Sequence, residues 1–535
     1  MKRLIILLSL IAGAVAPALA QMNVLVILTD DQRFDTVSQM PNIAELASQG
    51  VTFTNAFMST PLCGPSRSML FSGGYLAQNT GVLGNNPPNG GAKLFNDREN
   101  LGAMLQAMGY RTQFVGKWIN GYEGMGKYIP PGWTEWVGRH SFATIADWSS
   151  FQYTTGTSNA NSSLGTISTA QQYTTYFERD QILAFLSSTQ VGQPFFVLWS
   201  PTAPHPIATP AAEDAALYDG YTYRDRGYGE TDLSDKPAWV RSNTVKDTDE
   251  FVRNQLRSLQ SVDRSVKDVI DRIRVLGRLD NTLIVFTSDN GYLWGEHGLW
   301  GKDKIYEEAM RVPLVVVMPG VAPRTDASLI VPSLDVGPTI FEVSGISKQT
   351  EGMSLVPLLT LSGQPWRTDF FIEASANNIG GNAIWAGLRD KQWKYVKYWT
   401  GEEELYDLNA DPYELNSLHN DPTLSALKNE MSTRTQLRLG LAILPVTAFP
   451  RCKVGAQFSY QMKAWGGLAP FSWTVAAGQL PPGLALDAST GLIHGVAASS
   501  GTYQFSVQVT DSSLAIQAGK VRTFRSKTMK LIVAM

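Results

Sequence analysis

Four short runs along the chain are apolar for most of their length and stop on polar residues. Met22 to Thr29 (MNVLVILT) stops at Asp30-Asp31, and Arg111 to Val115 (RTQFV) stops at Gly116-Lys117. Phe195 to Trp199 (FFVLW) leads into SPTAPHP, which contains His205, and Thr282 to Thr287 (TLIVFT) stops at Ser288-Asp289-Asn290. Apolar runs without alternation are strands buried on both faces, so the pattern predicts an α/β fold with a largely parallel sheet flanked by helices. In such sheets functional groups collect beyond the carboxyl ends of the strands. Helices are expected over Ile43 to Gln49 before Gly50, and over Leu101 to Met108 before Gly109. A longer one is expected over Asp247 to Leu276, where Phe251, Leu256, Leu259, Val262, Val266, Val269, Ile270 and Ile273 recur at helical spacing as a core-facing stripe. Residues 154–172 are rich in Ser, Thr and Asn and read as a surface loop.

Beyond residue 440 the texture changes to many turns and few helical patterns. Phe471 to Val475, Leu484 to Leu486 and Tyr503 to Val509 read as short strands. In YQFSVQV the residues Tyr503, Phe505, Val507 and Val509 alternate with polar ones, as on one face of a sandwich sheet. The expected division is a sheet-and-helix unit over 21–440 and an all-β sandwich over 447–535.

The first twenty residues, MKRLIILLSLIAGAVAPALA, change the picture of where this fold works. A charged start, an apolar run and Ala18-Leu19-Ala20 predict a secretory signal peptide cut after Ala20. No later segment is apolar enough to span a bilayer, so export to the periplasm or the medium is expected. The net charge is −3 and no basic tract is present, which argues against nucleic acid as a partner. Export with two cysteines would suggest a disulfide, but Cys63 and Cys452 fall in different predicted units. Cys63 is therefore expected to be unpaired and to have a chemical task.

That cysteine stands in PLCGPSRSML, directly before Gly-Pro-Ser-Arg. Pro65 and Ser66 suit the start of a helix, whose free N–H groups favour an anion. Asp30, Asp31, Asp289 and Asn290 offer oxygen donors of the kind a hard cation takes. Each pair has a plainer reading, Asp-Asp as a helix cap and Asp-Asn-Gly as a turn.

The block PLCGPSRSMLFSG resembles the Cys-x-Pro-Ser-Arg signature of the formylglycine-dependent sulfatases. GYRTQFVGKW resembles that family's second signature, ending in Gly-Lys. TSDNGYLWGEHGLWGKDKIYEEAMRVPLVV resembles its Asp-Asn-Gly segment and the lysine ahead of Tyr-Glu-Glu, and ELYDLNADPYELNSL resembles its closing motif. The resemblance implies an alkaline phosphatase-like sulfatase fold, with a small α+β subdomain closing the unit from about residue 365 to 440. It implies that a formylglycine-generating enzyme oxidises Cys63 to an aldehyde, whose hydrate attacks the sulfur of a sulfate ester and then releases sulfate. Asp30, Asp31, Cys63, Asp289 and Asn290 would bind Ca²⁺, with Mg²⁺ as the alternative. Asp289 would also help deprotonate the attacking hydroxyl. Arg67, Lys117 and Lys302 would clamp the sulfate, Lys302 rather than Lys304 because it stands four residues before Tyr306. His205 would contact the bridging oxygen or donate to the leaving group, and His297 in GEHG lies near the pocket at most.

One departure stands out. Many members carry a histidine two residues after the Gly-Lys lysine, where this chain has Ile119 followed by Asn120. That pattern resembles the branch acting on N-acetylglucosamine 6-sulfate. LPPGLALDASTGLIHG resembles a bacterial immunoglobulin-like module and implies an accessory sandwich without catalytic residues. The expected function is an exported sulfatase acting on sulfated carbohydrates. The alternatives are a phosphoester or phosphonate hydrolase of the same superfamily, or a carbohydrate-binding, adhesive protein with an unused site.

Overall fold

The computed structural model describes residues 21–140, 148–243, 248–361, 363–374, 384–443, 449–467, 469–512, 523–526 and 528–535. The signal-peptide expectation for residues 1–20 lies outside them. The centre of the fold is a ten-stranded sheet. Across it the strands run Arg324–Ile330, Val51–Ala56, Leu314–Val317, Thr282–Ser288, Asn23–Thr29, Phe195–Ser200, Arg111–Gly116, Glu135–Arg139, Phe151–Gly156 and Thr166–Ala170.

The five strands from Thr282–Ser288 to Glu135–Arg139 are mutually parallel. Leu314–Val317 on one side, and Phe151–Gly156 with Thr166–Ala170 on the other, join antiparallel, so the whole sheet is mixed around a parallel centre. The central strands are largely apolar because both faces are covered. Val24, Val26 and Leu28 pack into one core with Phe114, Trp118, Trp133, Trp136 and the Pro332–Ser344 helix. Leu25 and Ile27 pack into another with Val262, Val266, Val269 and Ile273 of the Asp249–Val275 helix. That helix follows its expected stripe, and the left-handed Gly277 lies just beyond its end. No described helix is long and apolar enough to cross a membrane.

The expected loop over 154–172 needs correcting. Phe151–Gly156 and Thr166–Ala170 are paired strands at the sheet edge. The outermost strand is largely exposed, and a solvated edge strand need not show an apolar face. The helix expected to open at Pro65 opens at Cys63 and runs to Phe71, buried along its whole length. Its N-cap is Leu62, which has no side-chain acceptor, so the acceptor for a first-turn N–H comes from elsewhere: Asn85 Oδ1 accepts from Gly64 N–H at 2.7 Å.

Asp369–Ala374, Trp385–Asp390, Trp393–Tyr398 and Glu403–Asp407 form a second, antiparallel sheet, covered by the Ser425–Arg438 helix through Met431. Towards the C-terminus two further sheets enclose Phe458, Trp473, Ile493, Phe505, Val507, Val509 and Leu531, giving the expected β-sandwich. Cys63 and Cys452 are both buried and free.

Candidate active site

The parallel centre brings the polar residues after four strands to one place. Thr29 and Ser288 are register partners, so the residues that follow them are neighbours. Asp31, in the left-handed region at φ 67°, donates its N–H to Asp289 Oδ1 at 3.1 Å, and Gln32 N–H donates to Ser288 Oγ at 2.9 Å. Asn290 Nδ2 donates to Asp31 Oδ1 at 2.7 Å. The helix from Cys63 points its first turn at this pair of strand ends. Cys63 Sγ lies 3.4 Å from Asp30 Oδ1 and 3.8 Å from Asp31 Oδ1.

Arg67 follows Cys63 by four residues, one helical turn, and therefore emerges on the same face. Its Nε donates to Asp289 Oδ2 at 2.7 Å, and its Nη1 to Lys117 O at 2.7 Å and Ser200 Oγ at 2.5 Å. Its Nη2 makes no hydrogen bond and lies 3.8 Å from Asp30 Oδ1. Lys117 Nζ donates to Asp30 Oδ2 at 2.5 Å. Lys302 Nζ donates to both Asp31 oxygens, at 2.5 and 2.7 Å, and stands 2.8 Å from Cys63 Sγ. His205 Nδ1 donates to Pro206 O at 2.5 Å, which leaves Nε2 facing Asp31 Oδ2 at 3.8 Å.

Burial works to raise the Asp30 carboxyl, but Lys117, Arg67 and Lys302 together hold it well below the usual range. For Asp31 and Asp289 burial wins, and both are raised despite Lys302 and Arg67. Burial, aided by Asp289, also raises the Cys63 thiol, so this is not a thiolate nucleophile. His205 is pushed down by burial to about 3 and is neutral in the free site.

The residues fit a cation. Asn290 Oδ1 is buried and has no hydrogen-bond partner. Ligand atoms of Asp30, Asp31, Cys63 and Asp289 all lie within 4.8 Å of one another. Three carboxylates face three side-chain cations, so a divalent ion would leave the site net positive, as reception of an anionic substrate requires.

All nine residues singled out by the motifs therefore converge: Asp30, Asp31, Cys63, Arg67, Lys117, His205, Asp289, Asn290 and Lys302. Lys304 does not; its Nζ donates back to Lys302 O and lies over Trp239. His297 stands apart, stacked on Tyr306 with Nδ1 2.6 Å from Glu230 Oε2. Ile119 is buried in the core and offers no donor to the site. Asn85 and Ser200 were missed, since neither belongs to a recognisable pattern.

A family profile described as Sulfatase matches residues 22–346. One described as N-sulphoglucosamine sulphohydrolase, C-terminal, matches 295–438, and an Ig domain profile matches 442–524. A protein of Caenorhabditis elegans named an extracellular sulfatase homolog is 31% identical over 72% of this chain; the chain spans 56% of that protein's length. The N-acetylglucosamine-6-sulfatase of Homo sapiens is 30% identical over 67% of this chain and 68% of its own. A solved structure, described as a complex with its substrate D-glucosamine-2-N,6-O-disulfate, shares the fold. Its TM-score is 0.69 at 20% identity, covering 78% of this chain and 97% of that one.

Proposed function

The chain belongs to the sulfatase family, and on that premise we propose that it hydrolyses sulfate monoesters of sulfated sugars outside the cytoplasm. One observation carries the reading: position 63 sits in the first turn of a buried helix, with Lys302 Nζ at 2.8 Å and Asp30 Oδ1 at 3.4 Å. Formylglycine, made from Cys63 by a separate formylglycine-generating enzyme, would supply the nucleophilic hydroxyl, and a bound calcium ion would supply Lewis acidity.

The chain's own side chains do the rest. Asp30, Asp31, Asp289 and Asn290, with the group at position 63, would hold the ion, and the unpartnered Asn290 Oδ1 is the ligand atom that Asn290 would add. Asp289, fixed by Arg67, takes the proton released at position 63. Lys302, Lys117 and the free Nη2 of Arg67 direct N–H donors at the sulfate oxygens, where charge accumulates. His205 keeps Nδ1–H on Pro206 O, so Nε2 donates to the leaving oxygen only after it takes up a proton, which an anionic sulfate beside it favours, and no side chain at position 119 can share that task. Ile119-Asn120, together with the name of the human relative, supports a sugar 6-sulfate as substrate.

In this reading residues 21–440 carry the reaction, 447–535 are an accessory sandwich, and residues 1–20 direct export to the periplasm or the medium. The test has two parts. The mass of the tryptic peptide containing Cys63, from protein made in its native host, is expected to show the thiol converted to an aldehyde. N-acetylglucosamine 6-sulfate is then expected to release sulfate. An unconverted thiol, or a rate on phenyl phosphate exceeding that on phenyl sulfate, would overturn the proposal.

A further inference from the structure

Behind the loop carrying Asp289 and Asn290 lies a second group of acids, outside the nine residues above. Asp225, Glu296 and Glu308 each bring a carboxylate oxygen within 4.8 Å of the other two. Glu296 sits at the tip of the hairpin formed by Leu293–Trp294 and Trp300–Gly301, and Glu308 lies on the short helix Glu307–Met310. Asp225 comes from the segment ahead of the Asp249–Val275 helix.

The nearest counter-charge does not satisfy them. Arg33 Nη1 donates to Glu296 Oε1 at 2.6 Å, but its Nη2 pairs with Asp35 at 2.8 Å, so its single charge is divided. Arg224, next to Asp225 in the chain, pairs with Asp249 at 2.6 Å. Each acid also keeps acceptor capacity. Glu296 Oε1 takes Arg33 and the Tyr223 hydroxyl, whereas Oε2 takes the Trp294 N–H at 2.5 Å. Asp225 Oδ1 takes Gly227 N–H at 2.8 Å. Glu308 is only 6% exposed, and its Oε2 is buried without any hydrogen-bond partner. Its sequence neighbour Glu307 is paired with Arg389 and Lys394. A buried, unpartnered carboxylate oxygen among other carboxylates is costly unless a positive charge or a proton joins it.

We propose that Asp225, Glu296 and Glu308 form a second cation site that takes calcium through carboxylate oxygens. Ligands at opposite sides of a calcium ion stand about 5 Å apart, so three oxygens within the observed spread can share one ion. The ion ties the Asp225 segment to the hairpin, whose entry follows Asn290 and whose exit is Lys302. Its role is structural support of both, not chemistry.

The test counts calcium bound per chain, by equilibrium dialysis and elemental mass spectrometry, on the full-length mature protein. Glu308→Gln is expected to bind one ion fewer than wild type, and to show a smaller calcium-dependent rise in melting temperature. Asp289→Asn is expected to lose the other ion and keep this one. Because Glu308→Gln alters a buried position, Asp225→Asn at a half-buried one serves as the second variant and is expected to give the same loss. Crystals grown with calcium are expected to show anomalous density between the three carboxylates. Unchanged stoichiometry in a folded Glu308→Gln or Asp225→Asn protein would mean that Glu308 holds a proton instead, and would overturn the proposal. The count does not depend on turnover, so it stands or falls separately from the sulfatase reading.

Discussion

Replacing Lys302 and Lys304 by methionine, one at a time, separates two residues that the sequence presents as near-equivalents. Lys302 Nζ touches both Asp31 oxygens and the sulfur at position 63, at 2.5 to 2.8 Å. Lys304 Nζ reaches Lys302 O and the Trp239 ring, with Asp303 as its nearby acid. Removing a fixed donor from the place where an oxyanion gathers charge costs about 10²–10³ in kcat, roughly 3–4 kcal/mol. Lys302→Met is therefore expected to lower kcat/KM on an aryl sulfate by about that factor. It also strips Asp31 of its ion-pair partner. Breaking a buried pair costs about 3–5 kcal/mol, and the 13% exposure of the Lys302 side chain places the loss at the low end. Lys304 is a mostly buried ammonium whose pKa is lowered by burial, so exchanging it for an apolar chain of similar length removes a desolvation cost. Its kcat/KM is expected to stay within about threefold of wild type. The assay pairs initial rates with the formylglycine content of each variant by peptide mass, so that failed maturation is not read as failed catalysis. A fully matured Lys302→Met enzyme retaining more than a tenth of wild-type kcat/KM would refute the assignment, as would a Lys304→Met enzyme that loses as much.

Three further outcomes follow from the same geometry. Arg67→Lys cannot bind Asp289, Lys117 O and Ser200 at once, because the amine lacks the planar fork, so a fall of about two orders of magnitude in kcat is expected in steady-state rates. Asn290→Ala removes the orphan oxygen and the donor to Asp31, and is expected to shift the free calcium needed for half-maximal activity upward by about 10–100-fold; an unshifted titration would remove Asn290 from the ligand set. Glu178 is fully buried against Trp199, Tyr153 and Thr174, with Arg139 nearby, and burial pushes its carboxyl up to about 7. Folding thus favours the protonated form: its contribution is complete below the ordinary glutamate pKa and is lost as pH rises to about 7, by ~3 kcal/mol at most. Glu178→Gln, which can keep the Trp199 bond, is expected to flatten that part of the melting-temperature profile between pH 5 and 7.

What could be read before the fold was known divides along physical lines. Asp30, Lys117 and Asp289 were legible because each closely follows the end of a strand buried on both faces, and parallel neighbours bring those ends together. The edge strand Thr166–Ala170 was not, because exposure of most of its residues leaves no apolar alternation to mark a strand. Asn85 and Ser200 carry no periodic mark either; their meaning lies in contacts with Gly64 and Arg67 made across the chain. The pair Glu307-Glu308 shows the limit most clearly. As letters the two are identical and adjacent, and both are buried. Glu307 meets Arg389 and Lys394 and is held well below the ordinary glutamate range against its burial. Glu308 points the other way, meets Glu296, and burial raises it far above that range. A short helix turns successive side chains through about 100° each, so neighbours in sequence face different surroundings. The charge a buried carboxyl carries is then decided by partners many residues away, and the second cation site could be found only after the chain had folded around it.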